Sequence, residues 1–511
     1  MMKKFKRREF LKLAGASVAS LSIPDELMAN DGTEFSDYKA IVVLDLRGGN
    51  DSLNMFIPTD TTTGIKTGYD SYASIRANKI RVEAKDLMGD LKAKVQNDGY
   101  LGFSSTSDHP YYTPSEDISD AYVKGFYLHD NYNFNKRLAT NAMMPELAYW
   151  VDRGKCAIIQ NAGLIKQPMT KADIRADGSL VPPFIFSHSH QHTLMTTGQA
   201  SSINVPTGPF GRVADKWQKV NGDSIYGLNI NLSRYGSYRM FFGSYTMPMN
   251  YSYLGPTTIA AGSTYENELM SLPRGNIYQK YYNKTRKKAI LEVKETLKDW
   301  ESITGSNDVL KGMVDMYGNP ITTSSSAEET VGVKGGVSSY DSSLLTVARL
   351  IKLGKEKGLK RQVFSILLGG FDQHGGQPIQ HPKRLRGVSI AIDKFMRSME
   401  NFGLSDNVTL FNVSEFSRAI GSSSYGTSHG WGGHYFALGG AVKGGVYGDF
   451  PELVLGGDQD YSRKGRLIPS ISMTQYYATI IKWFGADEDV LNHALPELKN
   501  FSQTDLGFMK S

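Results

Sequence analysis

The chain has 511 residues, 40% of them hydrophobic and 21% charged, proportions ordinary for a protein that buries a large core. Its net charge is +6, but the first 29 residues hold six Lys/Arg against three acids, so the remainder stands near +3, too little for nucleic acid to be the main partner. Cys156 is the only cysteine, which excludes an internal disulfide, and its apolar setting in Cys156-Ala157-Ile158-Ile159 assigns it to the core.

At the N-terminus, Lys6-Arg7-Arg8-Glu9-Phe10-Leu11-Lys12 matches the twin-arginine export signature. The mildly apolar stretch Leu13 to Ile23 that follows is too short and too polar to span a bilayer. Residues 1–29 therefore read as a signal peptide, with cleavage near Ala29 and a periplasmic or extracellular destination reached through the twin-arginine machinery. Residues 30–511 read as a single α/β domain with insertions near 59–127 and 221–340.

Tyr38 to Leu46 is a continuous β-branched run, the pattern of a strand buried on both faces of a parallel sheet. It ends in Arg47-Gly48-Gly49-Asn50-Asp51, where Asp51 is either a metal ligand or a cap and Arg47 an anion holder. The polar segment from Thr59 to Tyr127 carries one expected helix, Glu83 to Val95. A helical pattern through Met144 to Val151 then leads to a strand, Cys156 to Asn161, which suggests a βαβ unit with the first strand.

Three of the ten histidines fall in Phe186-Ser187-His188-Ser189-His190-Gln191-His192-Thr193. In an extended segment they would face one way and bind a metal. In the preferred reading Ser187 begins a helix, where the dipole favours an anionic nucleophile or a bound oxyanion, and the histidines splay apart. Gly208 to Trp217 starts another helix, from which Arg212 reaches an active site or pairs at the surface. Residues 221–265 look strand-like, Asn276 to Trp300 form a charged helix, and Thr322 to Ser339 is a Ser/Gly-rich linker.

The helix Leu344 to Lys355 precedes the strand Gln362 to Leu368, which ends in Gly369-Gly370-Phe371-Asp372-Gln373-His374. Asp372 and His374, bracketed by glycine pairs at a strand end, are typical ligands of a catalytic divalent metal. A helix from Leu385 to Asn401 returns the chain to the strand Val408 to Val413, beyond which Glu415 stands where open α/β sheets bind ligands. Fourteen residues on, His429 lies in a Gly/Ser-rich loop built for close approach. The last helix is Met473 to Phe484.

Together these motifs resemble the exported bacterial family known as domain of unknown function 1501, grouped with alkaline phosphatases and sulfatases. The marks are Leu46 to Asp51, Leu128-His129, Ser187-His188, Gly211-Arg212, Gly369 to His374, Ser414 to Arg418, His429-Gly430, Leu438 to Gly440 and Trp483 to Gly485. The resemblance implies an alkaline-phosphatase-like α/β fold, a mostly parallel central sheet between helices. It implies Asp51, Asp372, His374, Glu415 and His429 as ligands of zinc, manganese or calcium, and Ser187 as a nucleophile attacking phosphorus or sulfur. Arg47, Arg212 or Arg418 would steady the anion.

The sequence departs from the family at Ser428, where Asp is usual, at Ser417, where Gly is usual, and at Gln373, where Thr is usual. Loss of the carboxylate at 428 weakens the expected metal site. The expectation is an exported metal-dependent hydrolase of small phosphate or sulfate esters. The alternative is a non-catalytic envelope or surface-assembly protein whose partner is another envelope protein.

Overall fold

The computed structural model describes residues 34–60, 62–82, 138–141, 143–222, 224–232, 238–256, 292–316, 320–321, 338–423 and 425–510. The expected signal peptide, the helix Glu83 to Val95, Leu128-His129, most of the first insertion and nearly all of the Ser/Gly-rich linker lie outside them. Of the charged helix expected over Asn276 to Trp300, the described part is helical over 292–302.

In chain order the strands are β1 (Lys39–Leu46), β2 (Phe56–Pro58), β3 (Leu138–Thr140), β4 (Cys156–Gly163), β5 (Asn229–Asn231), β6 (Met249–Asn250), β7 (Arg361–Leu368), β8 (Val408–Val413), β9 (Arg418–Ser423), β10 (Gly426–His429), β11 (Gly433–Gly439), β12 (Gly445–Tyr447) and β13 (Ile471–Ser472). Five helices carry the argument: α1 (Tyr69–Ile80), α2 (His188–Thr197), α3 (Ser338–Glu356), α4 (Gln377–Asn401) and α5 (Met473–Trp483). The central sheet runs β12-β4-β11-β8-β1-β7-β5-β6, with β13 added on β4. β1 lies at its heart, parallel to β7 on one side and β8 on the other.

Among the described strands of this sheet, only β11 runs against its neighbours, β4 and β8. The expected α/β architecture, a mostly parallel sheet flanked by helices, is the one the chain adopts. The βαβ unit is not formed by adjacent strands: β8 and β11 stand between β1 and β4.

The apolar runs explain the layers. Along β1, Ala40, Val42, Leu44 and Leu46 face one core while Ile41 and Val43 face the other, as the two-residue strand period requires. The first core is filled by α3 and α4 through residues such as Leu345, Ile351, Val388 and Phe395. The second is filled by α5 and α2 through Tyr476, Ile480, Leu194 and Met195. Each fully buried side chain of this size contributes roughly 1.5–3 kcal/mol relative to exposure, so the strand ends are held by two cores at once. Among the described residues no helix is long and apolar enough to cross a membrane.

α4 begins at Gln377, eight residues before the expected Leu385. Pro378 sits in the first turn, where its missing N–H costs nothing, and Pro382 lies inside the helix. The loops after β1 and β7 are pressed together at Gly48, which has φ of +121°; a Cβ there would lie 2.4 Å from the Asp372 backbone nitrogen.

Beneath these loops α1 delivers Arg76 to Asp51. The guanidinium meets both carboxylate oxygens, at 2.5 and 2.9 Å, and both side chains are buried. Gln377 Nε2 also donates to Asp51, and its Oε1 accepts from Thr427 Oγ1 at 2.8 Å. Burial alone would raise the Asp51 pKa, but the Arg76 charge and hydrogen bonds overcome it and hold the carboxyl below its ordinary value.

Gly48→Ala is expected to cost about 1–3 kcal/mol of stability, since both the positive φ and the backbone contact are violated. An unchanged denaturation midpoint would refute that reading. Asp51→Asn leaves Arg76 buried without its charge partner and should cost about 3–5 kcal/mol at neutral pH. The sign with pH follows from the depressed pKa: the carboxylate's contribution is complete above the unfolded value of about 4 and is lost as pH falls through the lower folded value. The gap between wild type and variant in urea denaturation should therefore shrink as pH is lowered from 6 to 3. A constant gap would count against the Arg76 pairing.

Candidate functional site

The site is assembled where β1, β7 and β8 end. Their last residues run directly into Arg47-Gly48, Gly369 to His374 and Ser414-Glu415, so sheet register alone brings three polar loops together. The segment after Glu415, read from sequence as a Gly/Ser loop, is instead the antiparallel hairpin β9–β10, in which Arg418 pairs with His429 across the base. α2 supplies the remaining side chains from the other side, beginning at Ser187 as the preferred helical reading expects.

Four side chains converge. His374 Nε2 lies 2.9 Å from His429 Nε2 and 3.0 Å from Asp372 Oδ1, which is 3.3 Å from His429 Nε2. His188 Nε2 approaches Asp372 Oδ2 at 3.2 Å. The ligand atoms of His188, Asp372 and His429 all lie within 4.8 Å of one another, a spacing that one cation could bridge.

The hydrogen bonds behind the imidazoles fix which nitrogens face inward. His188 Nδ1 is 2.8 Å from Glu415 Oε1; an ionised carboxylate only accepts, so Nδ1 carries the proton. His429 Nδ1 is 2.8 Å from the Phe186 carbonyl and is a donor for the same reason. In the neutral rings both Nε2 atoms then present lone pairs to Asp372. His188 Nε2 is buried and has no hydrogen-bond partner. Lone pairs of two imidazoles aimed at a carboxylate repel unless a proton or a metal ion sits among them.

Glu415 therefore stands behind a ligand instead of being one, a correction to the expected ligand set. Its oxygens accept the Gly48 N–H at 3.0 and 3.1 Å and the His188 ring, and it is fully enclosed. Burial would raise its pKa, but the His188 hydrogen bond and backbone donors keep it low, so it stays ionised. In return the Glu415 hydrogen bond raises the His188 pKa. Asp51 is also absent from the group, since Arg76 occupies both its oxygens.

Arg418 is buried and acts as a clasp. Its Nε donates to Gly49 O at 2.7 Å and its Nη1 to Thr427 O at 3.0 Å. Nη2 donates to Gly48 O, Phe371 O and Asp372 Oδ1 at 2.7, 3.0 and 2.6 Å. Buried and tied to these five acceptors, the guanidinium is not open to a substrate anion, which corrects the expected role. Against the effect of burial, Arg418 pulls the Asp372 carboxyl down to about 2. Arg212 is likewise turned away from an anion, donating to the carbonyls of Ala494, Thr207 and Thr197, and burial lowers its pKa to about 10. Arg47 remains half-buried, with one long contact of 3.5 Å to His192 Nε2.

Sequence reasoning gave His188 and His192 to a metal only in the extended reading it set aside, and left Asp45 unassigned. His188 and His192 are four apart, so the helix that separates them from His190 puts the two on one face. His192 Nε2 pairs with the fully buried Asp45 at 2.9 Å, one turn below the His188–Glu415 pair. Burial raises the Asp45 pKa despite that bond. The i, i+4 histidine spacing was the available signal. Ser187 stands directly between Phe186, whose carbonyl holds His429, and His188.

Solved structures with partial similarity include Ps i-CgsB in complex with k-i-k-neocarrahexaose, 11% identical at a TM-score of 0.29 over 70% of this chain and 71% of that one. Another is the phosphonate monoester hydrolase of Silicibacter pomeroyi, 10% identical at a TM-score of 0.29 over 67% and 69%. At those scores the likeness carries no argument here. Among curated proteins none matches the chain. Residues 315–489, which contain Asp372, His374, Glu415, Arg418 and His429, match the family described as "Protein of unknown function (DUF1501)", the family that the motifs resemble.

Proposed function

We propose that the chain is an exported hydrolase of small phosphate or sulfate esters that works with a divalent metal held by His188, Asp372, His374 and His429. One observation carries the reading: the buried His188 Nε2, its tautomer set by Glu415, points without a hydrogen-bond partner at the Asp372 carboxylate. Three imidazole nitrogens with one carboxylate suit zinc, or manganese, better than calcium, which prefers an all-oxygen shell. Bound there, the ion would polarise an ester oxygen and make a neighbouring hydroxyl more acidic.

The chain's own residues supply the rest. Glu415 keeps His188 oriented and electron-rich, as carboxylates behind ligating histidines do. Arg418 fixes Asp372 in place. Ser187, beside His188 at the start of α2, is the candidate nucleophile, and Arg47 is the guanidinium left to steady an anion. Export rests on the twin-arginine signature at Arg7-Arg8.

Elemental analysis of the purified protein should find about one equivalent of zinc or manganese, lost in the double variant Asp372→Ala/His374→Ala. Glu415→Gln should weaken metal affinity about 10–100-fold. Asp51→Asn, where it folds, should keep the metal, because Asp51 is not among the donors. Metal-free wild-type protein that takes up none on dialysis would sink the hydrolase and favour a non-catalytic surface-assembly protein.

A further inference from the structure

His190 has no part in the metal cluster, although it lies on the same helix. Its Nδ1 is 2.8 Å from Ser187 Oγ. Ser187 is the N-cap of α2, a position where a serine side chain ordinarily accepts from a first-turn amide, yet here it makes no such bond. The hydroxyl is turned onto the imidazole instead.

Two further features hold this arrangement. Phe184 stacks on the His190 ring with centroids 4.2 Å apart and planes 22° from parallel, while remaining 59% exposed. Phe184 and Phe186 have φ of 53° and 70°, two of only four non-glycine residues with positive φ among the described residues. Backbone strain of this kind persists where surrounding structure enforces it, and here it falls in the turn that leads directly into Ser187. The Phe186 carbonyl ties the same turn to His429.

We propose that His190 is the general base for Ser187, so that the turn 184–190 forms a serine–histidine nucleophile able to take a phosphoryl or sulfuryl group. This rests on the ester-hydrolase reading given above. With its proton on Nε2, His190 accepts the Ser187 hydroxyl proton at Nδ1 as Oγ forms a bond to phosphorus or sulfur. The ester P–O or S–O bond breaks, and the departing alkoxide takes a proton from water. Hydroxide then attacks the same centre, the bond to Oγ breaks, and Oγ recovers its proton from His190. Phe184 is a positioning residue that holds the ring in plane.

A fluorophosphonate ester tests the pair without the natural substrate. Oγ attacks phosphorus, fluoride leaves, and peptide mass spectrometry reads the adduct. Wild type should be labelled at Ser187, and His190→Ala should react roughly 100-fold or more slowly. Imidazole added to that variant should restore part of the rate, which a purely structural histidine would not allow. Should His190→Ala fail to fold, His190→Gln serves, since it keeps the bulk but cannot take the proton.

Metal content measured on the same samples separates the two readings. Metal-loaded wild type that stays unlabelled at Ser187, or a His190 variant that reacts as fast as wild type, overturns the serine–histidine pair and leaves the metal site standing. Wild type without metal overturns the metal reading, and labelling still reports on His190.

Discussion

The site depends on one buried guanidinium. Arg418 reaches from the base of the β9–β10 hairpin into the gap between three strand-end loops and donates to Gly48, Gly49, Phe371, Thr427 and Asp372. Four of these acceptors are backbone carbonyls, and the fifth is the carboxylate at the centre of the cluster. A planar cation with five donors in fixed directions can satisfy such a ring of acceptors; a lysine cannot. The distances among His188, His374, His429 and Asp372 follow from that clasp. Gly48 and Gly426 permit it, the second because a Cβ there would meet the His374 backbone at 2.2 Å.

A second constraint is the pairing of two α2 histidines, His188 and His192, with acids at strand ends. Glu415 follows β8 and Asp45 lies near the end of β1, and these strands are neighbours in the sheet. A helix crossing the ends of two parallel strands meets them about one turn apart, so histidines at i and i+4 fall on successive acids. The outcomes differ by depth. Glu415 collects backbone donors from Gly48 and stays ionised. Asp45 keeps one oxygen without a partner, and its pKa rises. The upper pair can serve a cation, whereas the lower one anchors the helix against the sheet.

How legible this was varies with the range of the interactions. β8 is observed as Val408–Val413, the run expected from its apolar residues, and β1 and β7 lie within a residue of expectation, because burial on both faces leaves a continuous signal. Asp372, His374 and His429 were visible as polar residues at strand ends or among glycines. The hairpin was missed because Gly421 to Ser424 and Gly426 carry no alternating apolar pattern; its pairing is set by Arg418 and by the loop of Asp372. Asp51 and Glu415 looked like ligands from their positions alone. Their partners, Arg76 on α1 and His188 on α2, come from distant segments that no local spacing announces. Arg212 and Arg418 look like anion holders in a sequence because carbonyl acceptors leave no mark in it.

The donors of the cluster set its preference among cations. Ser428 precedes His429 on β10 and adds no carboxylate of its own. Here the cluster has one carboxylate, already balanced by Arg418, and three imidazoles that are neutral when they act as ligands. The donor set is therefore close to neutral overall and rich in nitrogen. A hard cation gains most from charge and oxygen, while zinc gains from imidazole itself. Such a donor set favours zinc over calcium. Glu415, one step behind His188, adds to the negative charge that a bound ion would feel from Asp372.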